Sequence, residues 1–151
     1  QFTDINILSR QNDTIAFTNG GGHLGYLWHI WANGTLPDVD PRRVYIMGIS
    51  MGGIATFDIV ARYPQKFAAA IPICGSVNPQ RLTGTKGVAW RIFHGDADPS
   101  VTVEGSREAY KALRKAGLDV EYIEFAGCTH NSWNPAFNYP DFMKWLFRQK
   151  K

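Results

Sequence analysis

Three short stretches of this chain carry side chains that could do chemistry together. Gly48-Ile49-Ser50-Met51-Gly52-Gly53 sets a serine among glycines, His94-Gly95-Asp96-Ala97-Asp98-Pro99 brings two carboxylates, and Gly127-Cys128-Thr129-His130-Asn131-Ser132-Trp133 brings an imidazole. A serine hydroxyl is a weak nucleophile until a base takes its proton, and the base works when a carboxylate orients it. Nucleophile, then acid, then base is the chain order that one type of strand arrangement imposes on such groups, and it points to acyl transfer. The G-x-S-x-G spacing fits a serine on a strand-to-helix turn so tight that its flanks need glycine. Each residue also has a plainer reading. Ser50 could cap a helix, and His130 could be a capped loop histidine or a packed one. On the residues alone, both Asp96 and Asp98 stand as candidate acids.

These groups meet only if the surrounding elements bring them to one edge. From residue 42 onward, apolar runs rich in β-branched residues alternate with helix-length segments, which predicts an α/β fold with a parallel sheet and crossover helices. Strands are expected at 44–48, 68–73, 88–94 and 120–125, each without the polar alternation of a half-exposed strand. Helices are expected at 52–63, stopped by Pro64, at 103–116, stopped by Gly117, and at about 140–147. Right-handed crossovers would set all the strand C-terminal ends, and with them the three stretches, on one edge. Before residue 41 the pattern is weaker. Strands at 2–8 and 14–18, a helix at 24–31 after a glycine-rich loop, and turn chemistry at 33–41 fit best. On that helix Trp28 and Trp31 share a face as core or interface, and His29 sits on the surface or in packing. The expected organisation is one domain, an atypical N-terminal segment (1–40) packed on a core (41–151).

Composition narrows the partners. The chain has 151 residues, of which 44% are hydrophobic and 19% charged, the profile of an ordinary globular protein. No stretch approaches the ~20 apolar residues of a membrane span, so the chain reads as soluble, with no membrane partner. The net charge is +3, but residues 1–40 hold one cation (Arg10) and four anions, and the later cations are mostly interleaved with acids. That distribution argues against nucleic acid. Arg148-Gln149-Lys150-Lys151 reads as a solvated helix end. Cys74 and Cys128 lack metal-ligand spacing; one bridge and two free thiols fit equally. The start at Gln1 suits a processing site or an arbitrary boundary. Asn12 and Asn33 lie in glycosylation sequons, and a secreted or periplasmic setting is favoured over the cytoplasm.

From about Asp40 to Phe147 the chain resembles an α/β-hydrolase. It is most similar to the bacterial serine esterase branch that includes feruloyl and acetylxylan esterases, polyhydroxybutyrate-depolymerase-like esterases and predicted peptidases. The matching residues are Asp40-Pro41-Arg42-Arg43-Val44-Tyr45, Gly48-Ile49-Ser50-Met51-Gly52-Gly53, Pro72-Ile73-Cys74-Gly75, His94-Gly95-Asp96-Ala97-Asp98 and His130-Asn131-Ser132-Trp133. In that family the last acid of His-Gly-x-x-Asp orients the base, which implies Asp98 as the acid and Asp96 as a turn residue bonding its own loop. The implied fold is a minimal α/β-hydrolase, a mostly parallel sheet of about 5–6 strands flanked by helices. It lacks several N-terminal strands, one of which usually supplies an oxyanion-hole amide. A homo-oligomer or a rearranged N-terminal segment is then expected to complete the sheet.

The resulting expectation is a serine esterase with catalytic Ser50, Asp98 and His130 and an oxyanion donor in the Met51 N–H. It has no metal and no organic cofactor. Trp133 is expected either to wall the substrate site or to pack the last helix. Gly22, in Asn19-Gly20-Gly21-Gly22-His23, could offer a second oxyanion amide, against the plainer reading of a flexible turn. The same glycines match a dinucleotide fingerprint, but its acid is missing where the next strand ends in Gly48-Ile49-Ser50. His94 is expected at a strand end with one ring nitrogen on a loop carbonyl. Substrates implied by the resemblance are short-chain acyl, acetyl or hydroxycinnamoyl esters, small or polysaccharide-borne. The alternatives are a peptidase or polyester depolymerase with the same triad, or a truncated, weakly active scaffold acting in binding.

Overall fold

The computed structural model describes residues 40–151 and, of the earlier chain, the backbone of three strands: β1 (Ile5–Arg10), β2 (Asp13–Asn19) and β3 (Tyr26–His29). These three pair antiparallel in sequence order. β3 pairs antiparallel with β4 (Tyr45–Ile49), setting Leu27 opposite Gly48 and His29 opposite Ile46. From β4 the sheet turns parallel, adding β5 (Ala69–Ile73), β6 (Ala89–Gly95) and β7 (Val120–Phe125), so seven strands lie side by side in chain order.

Two expectations need correction. The sheet has seven strands rather than about 5–6, and residues 26–29 form β3 rather than part of a helix. Tyr26-Leu27-Trp28-His29 is rich in residues that suit a pleated surface. The buried edge of β4 also needs a partner for its peptide groups, and β3 supplies one. That pairing comes from within the chain, so completing the nucleophile strand requires no second copy. The turn expected at 33–41 lies mostly outside the described residues, as do Trp31 and both sequon asparagines.

Strands β4, β5 and β6 are buried along their whole length, and neighbouring residues alternate between two cores. The strand order always steps in the same direction, so right-handed crossovers must all run over one face. On that face α1 (Met51–Arg62), α2 (Glu104–Lys115) and the short 3-10 turn Pro79–Leu82 cover Val44, Ile46, Ala70, Trp90 and Ile92. Trp90 stacks on Phe57 with centroids 5.5 Å apart. The other face is left to the C-terminal helices α3 (Trp133–Phe137) and α4 (Phe142–Arg148), which pack on Tyr45, Met47, Ile71 and Phe93. There the buried Arg91 bonds Glu121 at 2.8 Å and Asp141 at 2.9 Å while lying 4.5 Å over the Trp145 ring. It ties β6 to both β7 and the start of α4.

The C-terminal tail keeps Arg148, Lys150 and Lys151 exposed, as expected of a solvated helix end, but is also tied back to the sheet. Tyr45 Oη donates to Gln149 O at 2.9 Å, and Lys151 Nζ donates to Phe67 O at 2.9 Å. Backbone carbonyls at the sheet's lower edge thus give the terminal cation a seat. Among the described residues, no helix is long and apolar enough to cross a membrane.

Candidate active site

The site is assembled where β4, β6 and β7 end. Ser50 follows β4 and caps α1 with φ 57° and ψ −117°, a left-handed conformation that strains a residue with a Cβ. Its N–H donates to Ile73 O at 2.9 Å, and its carbonyl accepts from Ile54 N–H at 3.0 Å, so the turn is held from both sides. Two flanking glycines make the approach feasible. A Cβ at Gly48 would sit 2.1 Å from Gly52 O, and one at Gly53 would sit 2.5 Å from Ile73 O.

The structure brings three of the sequence-selected residues together. His130 Nε2 lies 2.8 Å from Ser50 Oγ, and His130 Nδ1 lies 2.8 Å from Asp98 Oδ2. An ionised carboxylate only accepts, so Nδ1 carries a proton and, in the neutral ring, Nε2 is free to accept from the serine. Asp98 Oδ1 in turn accepts the N–H groups of Ser100 at 2.8 Å and Val101 at 3.0 Å. Burial pushes the Asp98 carboxyl up, but the Val101 amide, His130 and the Ser100 amide together outweigh it and hold the group below its ordinary value.

Asp96 is not a residue bonding its own loop. Its Oδ1 accepts the Gly127 N–H at 2.6 Å, because the loops after the adjacent strands β6 and β7 lie side by side. Ala97 N–H to Cys128 O, at 3.1 Å, joins the same two loops. Trp133 meets the His130 ring edge to face at 5.7 Å while also packing on the α3–α4 core, so both roles expected for it fit its position. Met51 is the first residue of α1 and is exposed beside Ser50; its N–H is one of the first-turn donors a helix leaves unpaired. Gly22 and the glycine-rich loop lie outside the described residues, as does Gly25; of Trp28 and His29 only the backbone, in β3, is described.

Cys74 and Cys128 are both free thiols. Cys74 is fully buried at φ 42°, and burial pushes its thiol up to about 11, so it is protonated at neutral pH. Donor atoms of Cys74, Asp98 and His130 lie within 4.8 Å of one another. Both imidazole nitrogens and both Asp98 oxygens are already taken by the bonds above, so the set does not fit a resident metal. What sequence reasoning missed is the surroundings of Asp98: His94, four residues earlier, has Nε2 3.3 Å from Asp98 Oδ2. The signal was the i, i+4 spacing in His94-Gly95-Asp96-Ala97-Asp98.

Comparison with known proteins is consistent with this geometry. The model of the dienelactone hydrolase family matches residues 27–140. A probable carboxylesterase SOBER1-like protein of Arabidopsis thaliana is 30% identical over 114 residues, covering 72% of this chain and 43% of that protein. A poly(3-hydroxyalkanoate) depolymerase C of Paucimonas lemoignei is 49% identical over 37 residues, covering 24% of this chain and 9% of that one. Among solved structures, a thermostable esterase superposes with a TM-score of 0.73 at 36% identity, covering 76% of this chain and 32% of its own. The chain thus spans less than half the length of these relatives.

Proposed function

The chain belongs to the dienelactone hydrolase family, and from that membership and the site geometry we propose that it hydrolyses carboxylic esters through an acyl-enzyme on Ser50. The observation that carries this reading is the continuous relay from Ser50 Oγ to His130 Nε2 at 2.8 Å and from His130 Nδ1 to Asp98 at 2.8 Å. Ser50 Oγ attacks the ester carbonyl as His130 Nε2 takes its proton. Asp98 fixes the ring and offsets the charge that forms on it. The developing oxyanion turns toward the Met51 N–H at the start of α1, where the helix dipole favours negative charge. His130 then returns the proton to the departing alcohol, and water, deprotonated by the same imidazole, releases the acid.

Trp133 walls the site beside His130 and offers an aromatic edge to the acyl or alcohol group. Short-chain acyl, acetyl and hydroxycinnamoyl esters, free or carried on a polysaccharide, are the proposed substrates. The named carboxylesterase and esterase relatives support this class. A polyester substrate is the second reading, favoured by the local identity to the polyhydroxyalkanoate depolymerase.

The test is hydrolysis of p-nitrophenyl acetate and butyrate by the whole chain beside Ser50→Ala. The proposal expects turnover that the variant loses; equal background rates in both would reject it. Methyl ferulate, a peptide amide and a polyester film then sort the leaving group.

A further inference from the structure

Outside the relay, the feature most closely coupled to it is a second imidazole. His94 ends β6 with a fully buried side chain. Its Nε2 faces two oxygens, Val101 O at 2.9 Å and Asp98 Oδ2 at 3.3 Å. A carbonyl and an ionised carboxylate can only accept, so Nε2 must carry the proton. That proton is bonded to Val101 O and lies beside the same carboxylate oxygen that receives His130 Nδ1–H. On the far side of the ring, Nδ1 lies 2.7 Å from Ser106 Oγ, which is itself 3.0 Å from Gly75 O. Gly75 packs so closely on the Ser50 turn that a Cβ there would sit 2.6 Å from Gly53 C. With the ring protonated at Nε2, Nδ1 takes the single Ser106 hydroxyl proton, so the link runs from His94 to Ser106 by a hydrogen bond and from Ser106 to the Gly75 backbone by close packing.

We propose that His94 is a positioning residue for the ester-hydrolysing site: its Nε2–H selects the Asp98 oxygen that faces His130 and, through Ser106, fixes that carboxylate relative to the Ser50 turn. The inference rests on the serine hydrolase reading above. Asp98 needs such a donor because its Oδ1 is already committed to two amides, while Oδ2 would otherwise be held by His130 alone, on a loop that must tolerate the ring's change of charge. Burial holds the His94 imidazole below its ordinary value, which favours the neutral ring. The ionisable groups that face it are Asp98 on its own loop, His130 on the loop after β7 and Glu124 on β7, which is paired with Arg107 of α2.

The experiment measures pH profiles of kcat and KM on p-nitrophenyl butyrate for the wild-type chain, Ser50→Ala, His94→Gln, His94→Leu and Ser106→Ala. His94→Leu removes the donor and is expected to lower kcat by about 10- to 100-fold, the effect of one hydrogen bond to a charged group, with KM within about twofold. Its acidic limb should move to higher pH, because a carboxylate with one donor fewer attracts the neighbouring proton more strongly. His94→Gln, which retains an N–H in place of Nε2, should recover most of kcat and return the limb toward wild type. Ser106→Ala leaves the imidazole but frees its far side, and a kcat loss of about three- to tenfold at unchanged KM is expected; it carries the test if His94→Leu does not fold. Active wild type with unchanged kcat and limb in the folded variants would overturn the role of His94 and leave the hydrolase reading intact. Wild type no faster than Ser50→Ala would overturn both.

Discussion

Asp96 Oδ1 accepts the Gly127 N–H at 2.6 Å, tying the loop that carries Asp98 to the loop that carries His130. The two loops leave adjacent parallel strands in the same direction, so nothing in the sheet itself fixes the distance between their tips. This bond, with the Ala97 N–H to Cys128 O bond beside it, sets that distance. Asp96 is therefore a brace for the pair next to it.

Replacing Asp96 by Ala should cost activity more than stability. One bond from a carboxylate to an exposed amide contributes about 1 kcal/mol to folding, a fall in Tm of roughly 2–4 °C at this chain length. The proposed relay depends on alignment to a fraction of an ångström, so kcat should fall by about tenfold or more. Steady-state kinetics beside a thermal melt checks the contrast; a loss of Tm with unchanged kcat would remove the bracing role.

Asp98→Asn should lower kcat by about 10³–10⁴-fold, because the amide supports the wrong imidazole tautomer. The same variant changes acid stability in a defined direction. The folded Asp98 carboxyl lies below its ordinary value, so it stabilises the fold above the unfolded value near 3.9 and loses that contribution as pH falls toward the folded one. Between about pH 5 and pH 3 the wild type should therefore lose Tm more steeply than Asp98→Asn. Melts at matched pH values measure the difference; parallel curves would contradict it.

Gly53→Ala should destabilise the fold by about 2–3 kcal/mol, since its Cβ would meet Ile73 O at 2.5 Å and that carbonyl is backbone. Gly84→Ala is the control, with nothing within 4 Å of the added methyl, and should change stability by no more than about 0.5 kcal/mol. Denaturant titration of both variants reads the contrast.

Thiol titration should find one reactive cysteine in the native protein and two in guanidinium. Cys128 is partly exposed, whereas Cys74 is fully buried and its thiol is pushed up to about 11. Titration of no thiol in the unfolded chain would instead mean a disulfide.

The core and the site were legible for a shared reason. Buried parallel strands must be nearly continuous apolar runs, and the chemistry sits where those runs stop, so Ser50, His130 and the acids Asp96 and Asp98 can be placed on one edge from the pattern, while the choice of Asp98 comes from the family resemblance. The segment 26–29 was misread because four residues with two aromatics carry no period, and only the unpaired edge of β4, a tertiary demand, selects a strand there. Asp96 and His94 were assigned to their own loop because their local spacing favours turn chemistry. The i, i+4 spacing already hints at Asp98 beside His94, but Gly127 as the partner of Asp96 and Ser106 as that of His94 are visible only once β6, β7 and α2 are packed together. The tail's cations are exposed as their pattern implies, but nothing in that pattern shows that Phe67 and Arg42 turn carbonyls toward Lys151.

The most direct measurement is covalent labelling with a fluorophosphonate, followed by intact-mass and peptide mass spectrometry. A single adduct on Ser50 is expected in the wild type, none in Ser50→Ala, and labelling slowed by orders of magnitude in His130→Gln. An adduct elsewhere, or wild-type labelling no faster than that of His130→Gln, would contradict activation of Ser50 by His130.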